Sequence, residues 1–226
     1  MGLSIKRRDS CDYLKDTYGN ILNTLMDEKS KSSENIKMAI SYLDKSLKNL
    51  IEGVVPMDKL SITKALRGYY KNPQQIAHNV LAERIGTRDP GNKPKSGERI
   101  KFVHIVTKKK GLQGEKIETL EFVIKNKLVI DYTYYITNQL MKPLQQLFGL
   151  ALESIWEYKN KTVAIKKHRE EMKELLKSSD TMEEYNKKRE KNCSDKVEKL
   201  LFKIYLDDIY LKENHTKPIS SFFGVK

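Results

Sequence analysis

Two apolar stripes with helical spacing open the chain and constrain its fold more than any other feature. The first lies between residues 9 and 26, and the second ends at Gly53. Apolar side chains recur every three or four residues in both, which is the period of a helix with one buried face. Asp9 and Ser10 are candidate caps for the first helix. The polar segment DEKSKSSE separates the stripes, so we predict two antiparallel helices joined by a short loop.

The pattern then changes to short β-forming segments and loops. Two segments read as strands, LSITKAL and, at residues 99–107, RIKFVHIVT. Between them, Asn72-Pro73 should open a helix that continues to Ile85. The loop GTRDPGNKPKSGER follows it, with three Gly and two Pro in 14 residues. After the turn KKKGLQG we predict a short helix over residues 119–126.

A longer helix should begin at Asp131, and Pro143 should kink or divide it. Beyond Trp156 the sequence is highly charged with sparse apolar positions, which predicts a helical extension of two or three helices. The predicted fold class is therefore mainly α with a small β element (α+β). Three segments are expected, namely a domain over 1–156, a charged helical extension over 157–212 and a flexible tail over 213–226.

Charge is concentrated in one part of the chain. Residues 56–114 hold 13 Lys and Arg against four Asp and Glu, which is most of the net charge of +13. A basic balance of this size favours a polyanionic partner, either nucleic acid or an anionic membrane face, over plain solubilising charge. The sequence has no run of about 18 apolar residues that would span a membrane. The N-terminus lacks an apolar signal core, so we expect an intracellular protein.

Side chains that carry catalytic or metal chemistry do not form a recognisable motif. The four His lack metal-ligand spacing, and Cys11 and Cys193 lie far apart without a CxxC, so both are expected to be free thiols. There is no nucleophile elbow, phosphate-binding P-loop or dinucleotide fingerprint. Adjacent carboxylates such as Asp207-Asp208 do not converge on a helix. We therefore expect no catalytic residue, no metal ligand and no cofactor in this chain.

Basic and small residues instead gather in the pattern of a nucleic-acid interface. Phosphates are contacted by Lys and Arg, by hydroxyl side chains and by backbone N–H groups that Gly leaves accessible, and such contacts do not read base identity. Tyr69 and Tyr70 are candidates for base stacking, although core packing is expected for at least one. The candidate DNA-binding residues are Lys6, Arg7, Arg8, Thr63, Lys64, Arg67, Arg84, Arg88, Lys93, Lys95, Ser96, Gly97 and Arg99.

The C-terminal tail carries a second motif. Ile219 precedes the pair Phe222 and Phe223 by three residues in the polar segment TKPISSFF. One short turn would present these three side chains together, and two exposed Phe are costly unless a partner buries them. The alternative is a tail that folds back on its own domain.

The sequence resembles the C-terminal thumb of a family B DNA polymerase, in the delta-like branch of eukaryotes and large DNA viruses. The resemblance covers about two-thirds of the chain and rests on three blocks in the family's order: GLSIKRRDSC, LSITKALRGYYKNPQQIAHNVLAERIGTRDPGNKPKSGERIKFV and IDYTYYITNQLMKPLQQLF. The palm motifs of the YGDTDS and DxxSLYP kind are missing, and so are the cysteine modules of the eukaryotic enzyme. The expectation is either a polymerase segment or the product of a split polymerase gene, inactive alone.

The resemblance implies a segment that holds primer–template duplex DNA while palm and fingers on another segment or chain supply the chemistry and bind Mg²⁺. The tail resembles a PIP-box, which implies a PCNA-like sliding clamp as a partner through Ile219, Phe222 and Phe223. Thr216 stands where that motif usually has Gln, and loss of one polar anchor weakens a peptide by about 1–2 kcal/mol. The nucleus and a cytoplasmic viral replication site are both compatible. A stand-alone clamp-binding or nucleic-acid-binding protein is the alternative function.

Overall fold

The protein is mostly helical with one small antiparallel sheet, as the sequence predicted. The computed structural model describes residues 6–107 and 111–213. The predicted clamp-binding residues Ile219, Phe222 and Phe223 lie outside these ranges. Within them, no helix has both the length and the apolar composition needed to cross a membrane.

Most of the described residues belong to helices, and the strands are short. The helices are α1 (Asp12–Leu25), α2 (Ser32–Ile51), α3 (Ala77–Arg88), α4 (Leu120–Asn126), α5 (Tyr132–Tyr134), α6 (Lys142–Leu150), α7 (Leu152–Tyr158), α8 (Thr162–Lys177), α9 (Met182–Val197) and α10 (Lys203–Glu213). The strands are β1 (Ile62–Ala65), β2 (Arg99–His104) and β3 (Ile117–Glu118). Two π-helical segments connect α5 to α6 (Tyr135–Met141) and α9 to α10 (Glu198–Phe202).

The chain divides into two compact units that are each discontinuous in sequence. Unit 1 comprises Met1–Asp16 and Glu52–Tyr135, and unit 2 comprises Thr17–Ile51 and Ile136–Lys226. Each unit therefore combines an early segment of the chain with a later one.

Unit 1 is built around the sheet, whose strand order is β1-β2-β3 with antiparallel neighbours. Ile62 of β1 and Ile100 and Phe102 of β2 are buried on one face of the pair, in keeping with the two-residue period of a strand. Ile62 is paired with Phe102, and Lys64 is paired with Ile100. Helix α3 packs against β2 and β3 and buries Leu81 and Ala82. Side chains on one face of the β1–β2 pair thus enter the core. The other face is accessible at Arg99 and Lys101 but is buried further along β2 and in β3.

Unit 2 is a set of packed helices. Helix α2 packs against α7 and α10, α9 packs against α6 and α8, and α7 packs against α8. The α2 stripe predicted from the sequence is buried at Ile36, Ile40, Leu43, Leu47 and Leu50. The amphipathic spacing is sufficient to direct these side chains inward, because helical residues three and four apart share a face.

Two predicted helix starts differ from the observed ones, and a third is confirmed. Helix α1 begins at Asp12, after the predicted caps, and the Asp9 carboxylate instead forms ion pairs with Arg7 and Lys64. Pro73 opens a short 3-10 turn, and α3 starts only at Ala77. The helix expected after Asp131 is present, with Asp131 accepting the Tyr134 backbone N–H at 2.8 Å. The π-helical segment precedes Pro143, and a second break occurs at Ala151.

Candidate nucleic-acid interface

One face of the β1–β2 pair is basic and exposed. Residues directly opposite in an antiparallel pair project to the same side of the sheet. The register pairs Thr63 with Lys101 and Ala65 with Arg99. Ala65, Arg99 and Lys101 are exposed, and Thr63 is half-buried. The Arg99 guanidinium donates to the Thr63 carbonyl at 3.3 Å, which holds it along the strand.

The loops at one end of this strand pair extend the same basic surface. The Leu66 N–H donates to the Glu98 carbonyl and the Gly97 N–H donates to the Leu66 carbonyl, both at 2.9 Å. Gly97 adopts a φ of +90°, a conformation that L side chains rarely adopt. We call the exposed surface formed by these strands and loops the basic face; it comprises Thr63, Arg67, Lys95, Ser96, Gly97, Arg99 and Lys101.

Four cations of the basic face are available to a ligand. Within residues 6–107 and 111–213, Arg67, Lys95, Arg99 and Lys101 form no ion pair with an acidic side chain, and all four are exposed. Lys101 was not among the predicted residues. Its signal in the sequence was the alternation of RIKFV, which places Lys101 on the same face as Arg99.

Lys64 lies on the opposite side of β1, in a small ionic cluster. Arg7 donates two hydrogen bonds to the Asp9 carboxylate, at 2.9 and 2.8 Å, and the Lys64 ammonium lies 3.4 Å from the same carboxylate. Hydrogen bonds from Arg7, and then the charges of Arg7 and Lys64, hold the Asp9 pKa well below its usual range. One carboxylate therefore partly neutralises two of the predicted DNA-binding cations, while Lys6 and Arg8 are exposed beside it.

Arg84 and Arg88 form ion pairs with a buried residue of unit 1. Both pair with Glu118, which is only 2% exposed. Arg88 donates to its carboxylate at 2.9 Å; Arg84 Nε lies 3.2 Å from the same oxygen, without the alignment of a hydrogen bond. The Arg84 guanidinium also donates to the carbonyls of Gly114 and Ile117. These contacts connect α3 to β3 and compensate a buried charge.

Lys93 also has a partner within unit 1. Its ammonium binds Glu83 at 2.7 Å, and its aliphatic stem lies against Gly86, where an added Cβ would approach the stem to 2.7 Å. Glycine at position 86 thus allows the loop after α3 to pack closely on the helix. Because Glu83 neutralises part of its charge, Lys93 attracts an anion less strongly than the unpaired cations of the basic face.

The adjacent tyrosines of the β1–α3 loop have different environments. The Tyr70 hydroxyl accepts the Arg67 backbone N–H at 2.7 Å and shares a hydrogen bond of 3.1 Å with His78 Nε2. The two rings meet edge to face. Tyr69 is 80% exposed. Tyr70 therefore attaches the loop to α3, and Tyr69 projects into solvent.

Both cysteines and His168 are buried and do not belong to the basic face. Cys11 and Cys193 are buried free thiols, as expected, and burial raises the pKa of Cys11 to about 11. His168 is buried between α8 and α9, where its Nδ1 lies 2.9 Å from the Lys196 ammonium. In the described part of the chain, no three His, Cys, Asp or Glu side chains gather as metal ligands.

The sequence of this chain is similar to the sequences of known DNA polymerases. The profile of DNA polymerase family B matches residues 1–150. A DNA polymerase of Pyramimonas orientalis virus is 40% identical over 100% of this chain and 18% of its own length. The DNA polymerase delta catalytic subunit of Candida albicans is 32% identical over 65% of this chain and 14% of its own length. The chain thus spans less than a fifth of these relatives.

A solved structure supports the same fold. The family B DNA polymerase from the hyperthermophilic archaeon Pyrobaculum calidifontis matches with a TM-score of 0.50 and 20% sequence identity. The match covers 60% of this chain and 17% of that protein.

Proposed function

Because this chain belongs to DNA polymerase family B, we propose that it is the thumb segment of a replicative polymerase. The segment grips primer–template duplex through phosphate contacts. Palm and fingers, on another segment or chain, supply the chemistry and bind the Mg²⁺ that it requires. The C-terminal tail tethers the enzyme to a PCNA-like sliding clamp through Ile219, Phe222 and Phe223.

The observation that carries the duplex proposal is the basic face. It combines exposed cations, the Ser96 hydroxyl and the Gly97 turn, which are the groups that contact phosphate oxygens. Arg99 and Lys101 lie two residues apart on one strand and project to the same side. Such an array attracts a polyanion without reading base identity, as a segment that must hold any sequence requires.

The basic residues, including Lys101, which was not predicted, have different roles in this function. Arg67, Lys95, Arg99 and Lys101 contact phosphates directly. Lys93, whose charge Glu83 shares, is a secondary contact. Lys6 and Arg8 are exposed beside the Asp9 cluster and extend the interface, whereas Arg7 and Lys64 are partly neutralised within that cluster. Arg84 and Arg88 support the fold through Glu118.

A salt titration of duplex binding tests this assignment. Each phosphate contact contributes about 0.9 to the negative slope of log K against log salt concentration on double-stranded DNA. The triple variant Arg67→Ala, Arg99→Ala, Lys101→Ala should therefore reduce that slope by about 2.7. Fluorescence anisotropy of a labelled blunt duplex, between about 50 and 200 mM salt, measures it.

A matched control removes the same charge from another surface. Lys166, Lys173 and Lys177 are exposed on α8, and their replacement by Ala should leave the slope close to that of the unmodified chain. Equal reductions in the two triple variants would mean that net charge, and not the basic face, determines binding. A flat salt response of the unmodified chain would refute the duplex-gripping function itself.

A further inference from the structure

Tyr69 lies in the loop beside the basic face, and phosphate binding does not account for its exposed ring. Its side chain is 80% exposed, yet a hydroxyl group alone can donate a hydrogen bond to a phosphate, so such a contact would not require the exposed face of the ring. Exposed basic residues flank it in the sequence, Arg67 on one side and Lys71 on the other. Neither forms an ion pair in the described ranges 6–107 and 111–213.

The loop that carries Tyr69 is braced on both sides. The Tyr70 hydroxyl joins the Arg67 N–H to His78 of α3. An added Cβ at Gly68 would lie 3.3 Å from the Ser96 hydroxyl oxygen, so the loop also lies close to the Gly97 turn. A ring on a braced loop loses little conformational freedom when it binds, which favours its use as a contact surface.

We propose that Tyr69 stacks on an unpaired base, so that this loop binds single-stranded nucleic acid adjoining the duplex. The face of every nucleobase stacks on an aromatic ring, while neighbouring cations hold the backbone. Bases inside a duplex are already stacked on each other and do not offer that face. The inference rests on the proposed function, which brings the nucleic acid to the basic face, and it adds a preference for strands with unpaired nucleotides.

Binding of a short oligo-dT and of a blunt duplex by the full chain tests the proposal. Tyr69→Ala should weaken oligo-dT binding about 5- to 150-fold, the range for loss of one base–aromatic stack. Blunt-duplex binding should remain unchanged. Tyr69→Phe keeps the ring and should retain oligo-dT affinity. Tyr210→Ala removes another exposed tyrosine, on α10 in unit 2, and should alter neither affinity.

A second measurement reports stacking directly. The variant Tyr69→Trp should show quenching of its indole fluorescence when oligo-dT is added, with the Trp156 signal of the unmodified chain as the baseline. Unchanged oligo-dT affinity in Tyr69→Ala, or an equal loss for oligo-dT and duplex, would overturn the stacking assignment. Failure of the unmodified chain to bind oligo-dT would also overturn it. Failure to bind duplex would instead refute the proposed function, so the two results are distinguishable.

Discussion

The stability of unit 1 should decrease in mild acid because His104 is buried as a neutral ring. His104 is 5% exposed, stacks on Tyr134 and meets Phe102 and Tyr135 edge to face. Burial, and secondarily the charge of Lys116, lowers the pKa of His104 to about 3 from the usual 6.5. In mild acid His104 therefore stays unprotonated in the folded chain, whereas it binds a proton in the unfolded chain.

The sign and size of the effect follow from this difference in proton binding. Stability increases with pH wherever the unfolded state binds more protons. The contribution of His104 is therefore fully present above its unfolded pKa of about 6.5 and is lost progressively down to its folded pKa. Lowering the pH from about 7.5 to about 5 should remove about 2 kcal/mol from the free energy of unfolding.

Urea unfolding of the unmodified chain and of His104→Gln at both pH values measures this contribution. Circular dichroism follows the helices of both units, including α3 and α4 of unit 1, whereas Trp156 belongs to unit 2 and its fluorescence would report on that unit alone. The variant should be less stable at neutral pH but should lose about 2 kcal/mol less on acidification. Burial also lowers the pKa values of His78 and His168, so both proteins retain some acid sensitivity. An identical acid loss in the two proteins would refute the reasoning.

Two further predictions concern the Glu118 ion pairs and the tail. Glu118→Gln should lower the free energy of unfolding by about 3 kcal/mol, because it leaves two arginines facing a buried amide; urea unfolding measures the loss. Glu121→Gln, at an exposed position in α4, should change it by less than about 0.5 kcal/mol. The double variant Phe222→Ala, Phe223→Ala should abolish binding to a sliding clamp in a pull-down while leaving duplex affinity unchanged. Clamp binding that survives this variant would exclude the tail as the tether.

Periodicity was enough to predict the helices that have one buried face. The α2 stripe is buried as expected, and Thr119 caps α4 by accepting the Phe122 N–H. These features depend on residues three or four apart, and such local relations are visible in the sequence. Strand β3 was not predicted, because two residues carry no period.

The roles of individual cations were harder to predict. Arg84 and Arg88 resemble the other basic residues in the sequence, but Glu118, about 30 positions away, binds both. Only the fold brings such partners together. Lys101 was missed for a different reason. Its position two residues after Arg99 places both side chains on one face of a strand, but the sequence does not show which face is exposed. The strand register supplied that information.

Because unit 2 is discontinuous in sequence, a deletion at either end of the chain removes only part of its packed helices. The matched polymerase region ends at residue 150, yet α9, beyond that point, packs on α6, and α10 packs on α2. Tyr205 of α10 also donates a hydrogen bond to Asp44 of α2 at 3.0 Å. A stop codon introduced after residue 158 would therefore expose apolar surface on helices encoded far upstream. Conversely, residues 136–226 expressed alone would lack α2, against which α7 is packed. Neither fragment is a natural unit for expression, and a soluble half requires both parts of its discontinuous sequence.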